Sequence, residues 1–194
     1  MLPLAVQNKN ILRLAAAQAL AGANSVVFYA TGAIVGNAIA PSPSLATLPI
    51  TLFVLGMAAS ILLFGALARK RGRKAAFMAG TGAGVVTGLA AALAVVLGSF
   101  LLFCFAAMLG GAYAAVALSF RFAATDGVAP ERRARALSLV MGGGVAAGII
   151  GPMLVTGTMH LWPTHTFAFT FLAQALVAAL ALTHGRLYVS IIHH

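Results

Sequence analysis

Counted at 100° per residue from Gln18, a helix places Gly22 at +40°, Ser25 at −20°, Tyr29 at +20°, Gly32 at −40° and Gly36 at 0°. These six residues share a stripe about 80° wide. Gln18, Ser25 and Tyr29 put hydrogen-bonding groups on an otherwise apolar segment, which suits the wall of a path for a polar solute. The interspersed glycines equally suit a seam where a second helix approaches closely. Asn24, at about 240°, falls off the stripe. The two acids of the chain, Asp126 and Glu131, stand in the run Asp126-Gly-Val-Ala-Pro130-Glu131-Arg132-Arg133-Ala-Arg135. Either could pair with Arg73 or Lys74, and such an exposed ion pair is worth at most ~1 kcal/mol. His160 and His165 flank Pro163 and read as interfacial polar residues, not as metal ligands. Cys104 is alone in the apolar run Leu101-Leu102-Phe103-Cys104-Phe105, so it forms no intrachain disulfide and no redox pair. A rhomboid-type protease would need a Gly-x-Ser-Gly turn, and a zinc protease His-Glu-x-x-His; the sequence has neither. No metal, no cofactor and no enzyme activity are expected.

The elements that hold these residues follow from composition. Of 194 residues, 62% are hydrophobic and 7% charged, with a mean hydropathy of +1.04. A soluble domain carries about a quarter charged residues, and a domain this small could not bury so much apolar side chain. A soluble enzyme, a secreted disulfide scaffold and a disordered tail are excluded. A bilayer crossing takes about 20 apolar residues. Six apolar stretches predict six transmembrane helices, near residues 14–38, 46–68, 75–97, 100–122, 136–158 and 166–182. Period-2 alternation is absent, which argues against a barrel. The first stretch is too long for a signal-peptide core of 7–15 residues. The expected organisation is one six-helix bundle over residues 1–194.

Net charge is +10, from 12 Lys and Arg against 2 acids. On a soluble protein this would suggest nucleic acid; here it sets topology, and no nucleic acid is expected. Lys9 and Arg13 precede the first span. Arg69, Lys70, Arg71, Arg73 and Lys74 lie between the second and third. Arg121, Arg132, Arg133 and Arg135 lie between the fourth and fifth, and Arg186 follows the sixth. Every basic residue thus falls on one side, which predicts both termini in the cytoplasm of a multi-pass protein of the bacterial inner membrane.

Two motifs carry a resemblance. The run Gly65-Ala-Leu-Ala-Arg69-Lys70-Arg71-Gly72-Arg73-Lys74 resembles the signature loop between helices two and three of the major facilitator superfamily, with Arg69 where the family usually has Asp. In the family that Asp is thought to sit near a helix N-terminus in the other half and latch one conformation. A guanidinium there is unfavourable, whereas the packing and turn roles of Gly65 and Gly72 survive. In the fifth span, Gly142, eight residues and Gly151-Pro152 resemble the Gly-x8-Gly-Pro signature of exporters in that superfamily, especially proton antiporters. The family's further glycines are replaced by Val155 and Thr156. The Pro-Glu-Arg stretch at 130–132 resembles the family's lead into helix five.

The resemblance implies an all-α membrane fold: the N-terminal six-helix half of a twelve-helix carrier, two three-helix repeats of inverted topology. It implies transport of a small solute by alternating access, with efflux favoured. Helices one and four line the cavity in that fold, which makes Tyr113 a candidate beside Gln18, Ser25 and Tyr29. An Arg often stands four residues before a glycine like Gly110; here that residue is Ala106, and no acid lies within a span. One bundle supplies half a cavity, so the expected partners are the lipid bilayer, a small-molecule substrate and a second six-helix half or a homodimer. The chain ends unlike the long basic linker expected after helix six, which suggests truncation or a frameshift. The alternative is a six-helix substrate-binding subunit of an energy-coupling importer, which length fits and the paired motifs do not.

Overall fold

The computed structural model describes the backbone of residues 4–123, 128 and 130–192, and side chains at 8, 11–72, 74–119, 128 and 130–182. Five α-helices and one short 3₁₀ turn account for the secondary structure of these residues: α1 (Leu4–Ile39), the turn at Pro43–Leu45, α2 (Leu48–Leu97), α3 (Phe100–Ala123), α4 (Pro130–Thr158) and α5 (Ala168–Ile192). Hydrocarbon offers backbone N–H and C=O no partner, so helices, which satisfy both internally, are the form such apolar runs take. α2 contains two crossings. Its two arms meet at Gly72, where φ is 82° and ψ is 161°; the first, with the turn before it, forms the membrane-length segment Pro43–Gly72, and the second is Lys74–Leu97. Only glycine adopts that conformation readily, so the helix changes direction at one residue. Among the described residues, five segments are long and apolar enough to cross a membrane, and the apolar part of α5, Ala168–Leu182, is shorter.

The remaining ends have local causes. Gly98 closes α2 in the left-handed conformation at φ 62°, and the Leu102 N–H donates to Ser99 Oγ at 3.4 Å as α3 begins. Prolines open α2 at Pro49 and α4 at Pro130, where the missing N–H costs no helical bond. Because α4 begins at Pro130, Glu131 to Arg135 occupy its first turns instead of a loop. Opposite, the Phe167 N–H donates to the Met159 carbonyl at 3.3 Å, closing the α4–α5 turn with Phe167 at a φ of 72°.

The tightest packing crosses between the two halves of the chain. α1 lies along α4, and the first arm of α2 lies along α3. A Cβ at Gly143 of α4 would collide with the Ala15 carbonyl oxygen, and one at Gly151 would lie 2.6 Å from Val26 Cγ1. Likewise a Cβ at Gly111 of α3 would collide with the Phe53 carbonyl oxygen. Small residues allow this approach, and van der Waals contact rather than hydrophobic exclusion holds helices together in lipid. Spans one with five and two with four are equivalent pairs when the three-helix repeats are exchanged, so the contacts follow the inverted-repeat pattern.

Between these pairs, four rings from α1, the first arm of α2, α3 and α5 form the apolar centre. Phe28 stacks on Phe53 and Phe103 at 5.5 and 5.8 Å between centroids, and tilts against Phe171 at 5.5 Å. Each such pair adds about 0.5–1.5 kcal/mol beyond its burial. Leu62, Leu101, Val145 and Met153 point outward, each more than 60% exposed, so the outside of the bundle is apolar.

Candidate functional site

The stripe on α1 does not face one environment. Its glycines are the seam: Gly22 abuts Ala147 of α4, while Gly32 and Gly36 abut Ile50 and Ala46 beside the first arm of α2. Gln18 is buried between α1 and α4, its Nε2 3.9 Å from where a Cβ of Gly144 would stand, and its Oε1 has no partner. Ser25 is half-buried. Tyr29 alone is exposed, at 48%, with its ring edge-on to Phe53 at 5.3 Å. Asn37, two turns on, is also exposed. Tyr113 lies in the interior with Gln18: its ring fills the space left by the missing side chain of Gly84, and its hydroxyl has no partner. The structure therefore separates Tyr29, on an open face, from Gln18 and Tyr113, inside the bundle.

One polar contact escapes the stripe altogether. Gln174 Nε2 on α5 donates to Asn24 Oδ1 on α1, both residues being buried. Asn24 lies off the stripe because it faces α5, whereas the stripe's glycines face α4 and the first arm of α2. The sequence reading did not single out Gln174; its being the only amide in its apolar run is the signal that could have found it.

At the end of the bundle where the basic residues gather, Arg69, Lys70, Arg71 and Lys74 are all exposed around the break at Gly72. Gly65, one turn before, is half-buried, and a Cβ there would meet only the Arg69 guanidinium at 3.9 Å. The Arg73 side chain and Asp126 lie outside the described residues. Glu131 is exposed in the first turn of α4. Nearby, Arg132 donates to Asn8 Oδ1 at 3.4 Å, tying α4 to α1 at this end. Gly142 sits on the open face of α4 with nothing near it, whereas Gly143 and Gly151 face α1. Pro152 is exposed, and the Thr156 hydroxyl donates to its carbonyl at 3.0 Å.

The family model described as Major Facilitator Superfamily matches residues 14–191. The chain belongs to the major facilitator superfamily. It is a multi-pass membrane protein with half of that superfamily's fold. Among relatives, the riboflavin transporter RfnT of Brucella anthropi is 41% identical over 174 residues, which is 90% of this chain and 44% of that protein. Two uncharacterized MFS-type transporters of Bacillus subtilis, YdeG and YddS, are 30% and 29% identical over 71% and 76% of this chain, covering 32% and 34% of their own lengths. The chain thus spans less than half the length of the curated superfamily relatives it matches. For the superfamily signature between spans two and three, the geometry separates two parts: Gly72 makes the turn, and Arg69, Lys70, Arg71 and Lys74 around it are exposed.

Proposed function

We propose that this chain is the amino-terminal six-helix half of a secondary transporter, which moves a small solute by alternating access against a second six-helix bundle. The observation that carries this reading is the open side of the bundle. Tyr29 lies exposed on α1, and the first arm of α2 and the outer face of α4 are the least covered crossings, exposing Val54, Leu55, Val145 and Ile149. A polar side chain at membrane depth belongs to an interior or a water-filled path, and a second bundle across this face would enclose Tyr29. Ser25, one turn before, joins it as a candidate cavity residue. The second bundle is a separate half or a second copy of the chain. Tyr29 and its edge contact with Phe53 suit an aromatic solute, and the named relative makes riboflavin the first solute to test. Efflux is favoured by the Gly142…Gly151-Pro152 spacing, with both termini on the cytoplasmic side of a bacterial inner membrane.

The test is flux in liposomes. The purified chain, its oligomeric state fixed by crosslinking, is reconstituted and tested with radiolabelled riboflavin in both directions. Saturable flux by a crosslinked dimer, or by the chain joined with a second half, and its loss in Tyr29→Ala but not Leu12→Ala, is the expected result. Saturable flux from a proven monomer would contradict the two-bundle reading.

A further inference from the structure

Among the described residues, five buried side-chain atoms have no hydrogen-bond partner: Gln18 Oε1, Asn24 Nδ2, Thr87 Oγ1, Tyr113 OH and Gln174 Oε1. Their residues are at most 4% exposed. An orphaned buried polar group costs about 1–3 kcal/mol, and native interiors leave few of them. Contacts of these residues and of the residues beside them link the five. Gln174 is bonded to Asn24. Ala175, the next residue, abuts Gly88, the residue after Thr87. Thr87 itself abuts Gly110 on α3, one turn before Tyr113. Tyr113 packs in one cluster with Ala17 and Ala21, which bracket Gln18, and with Ala178, one turn beyond Gln174. The residues therefore belong to one region, where α1, the second arm of α2, α3 and α5 meet, with Gln18 at its edge beside Gly144 of α4.

We propose that this meeting point is a buried water-binding site inside the six-helix bundle, apart from the open face where the solute would bind. The choice of guest follows from the donor and acceptor set. Gln18 and Gln174 offer acceptors, Asn24 a donor, and Thr87 and Tyr113 hydroxyls that do either. A cation would be repelled by the Asn24 N–H, and an anion by the two amide oxygens. A neutral molecule that both donates and accepts satisfies all five. A buried water makes about three hydrogen bonds, so about two waters suffice. Wet contacts are nearly as favourable as direct ones, so the joint between the inverted repeats can exchange amide–amide for amide–water bonds as the bundle flexes.

Millisecond X-ray radiolytic labelling of the purified chain in detergent micelles, read by mass spectrometry, tests this. Radicals formed from trapped water modify side chains beside it even when they are buried. Tyr113 is expected to be modified at least about tenfold faster than Phe103, which is equally buried in the dry aromatic centre. In Gln18→Leu/Thr87→Val, with Cys104 still protected from a thiol reagent as proof of folding, that excess should disappear. A Tyr113 as silent as Phe103 would overturn the proposal, as would an excess that survives in the folded double variant. Suppression of the labelling by sodium but not by choline would also overturn it, by showing a cation in the place of water.

Discussion

Gly143 of α4 and Ala15 of α1 meet backbone to backbone, with the Ala15 carbonyl oxygen in the space a Cβ of Gly143 would need. Neither side can yield by rotating a side chain, because the obstacle is main chain. Gly143→Ala should therefore push α1 from α4 and destabilise the bundle by about 1–3 kcal/mol. Gly142→Ala should do no harm, since a Cβ there meets nothing within 4 Å. Cys104 is the only thiol and is buried, so the temperature at which a thiol-reactive dye labels it reports unfolding directly. A lower midpoint for Gly143→Ala with Gly142→Ala unchanged or raised is the expected outcome.

Gly72 should be intolerant for a different reason. Space around it is open, yet its φ of 82° with ψ of 161° is a region other residues avoid. Gly72→Ala should cost about 1–3 kcal/mol through backbone strain alone. Gly82→Ala, also with open space but inside the helix, should be neutral or stabilising by up to ~1 kcal/mol. The same dye assay compares the two.

The Asn24–Gln174 pair should show coupling. Truncating one partner orphans the other, so Asn24→Leu and Gln174→Leu should each destabilise. The double variant should lose less than the sum by about 0.6–1.7 kcal/mol, the range of interhelical hydrogen bonds in membranes. Strict additivity in a denaturation cycle would show that the two amides do not depend on each other.

Topology is checked by cysteine accessibility in a Cys104→Ala background. Ser44→Cys, in the turn after α1, should react with an impermeant maleimide added to intact cells. Lys70→Cys, beside Gly72, should react only after permeabilisation. The reverse pattern would invert the orientation.

Much of this fold is local in origin and therefore readable residue by residue. Hydropathy marks the crossings, Gly72 and Gly98 the sharp turns, and the basic residues one end. What periodicity does not contain is partnership. Within Gly142-Gly143-Gly144 nothing in the sequence says which glycine faces α1; the rotation of α4 decides, and it selects Gly143. The stripe from Gln18 to Gly36 is visible as an angular fact, but its glycines and its polar residues meet different neighbours, so it divides into seam, interior and open face. Asn24 and Gln174 are separated by 150 positions. Their contact exists only because α5 returns beside α1.

The crossing of contacts between repeats also sets an order of events during synthesis. Ala15 is translated 128 residues before Gly143, an interval of about 6–26 s at 5–20 residues per second. Through that time the first helix is in the membrane without the surface it fits, its Gln18 amide and small-residue face turned to lipid or to the insertion machinery. The first three crossings thus cannot mature as a unit, and whatever shelters them until α4 emerges acts as their temporary partner.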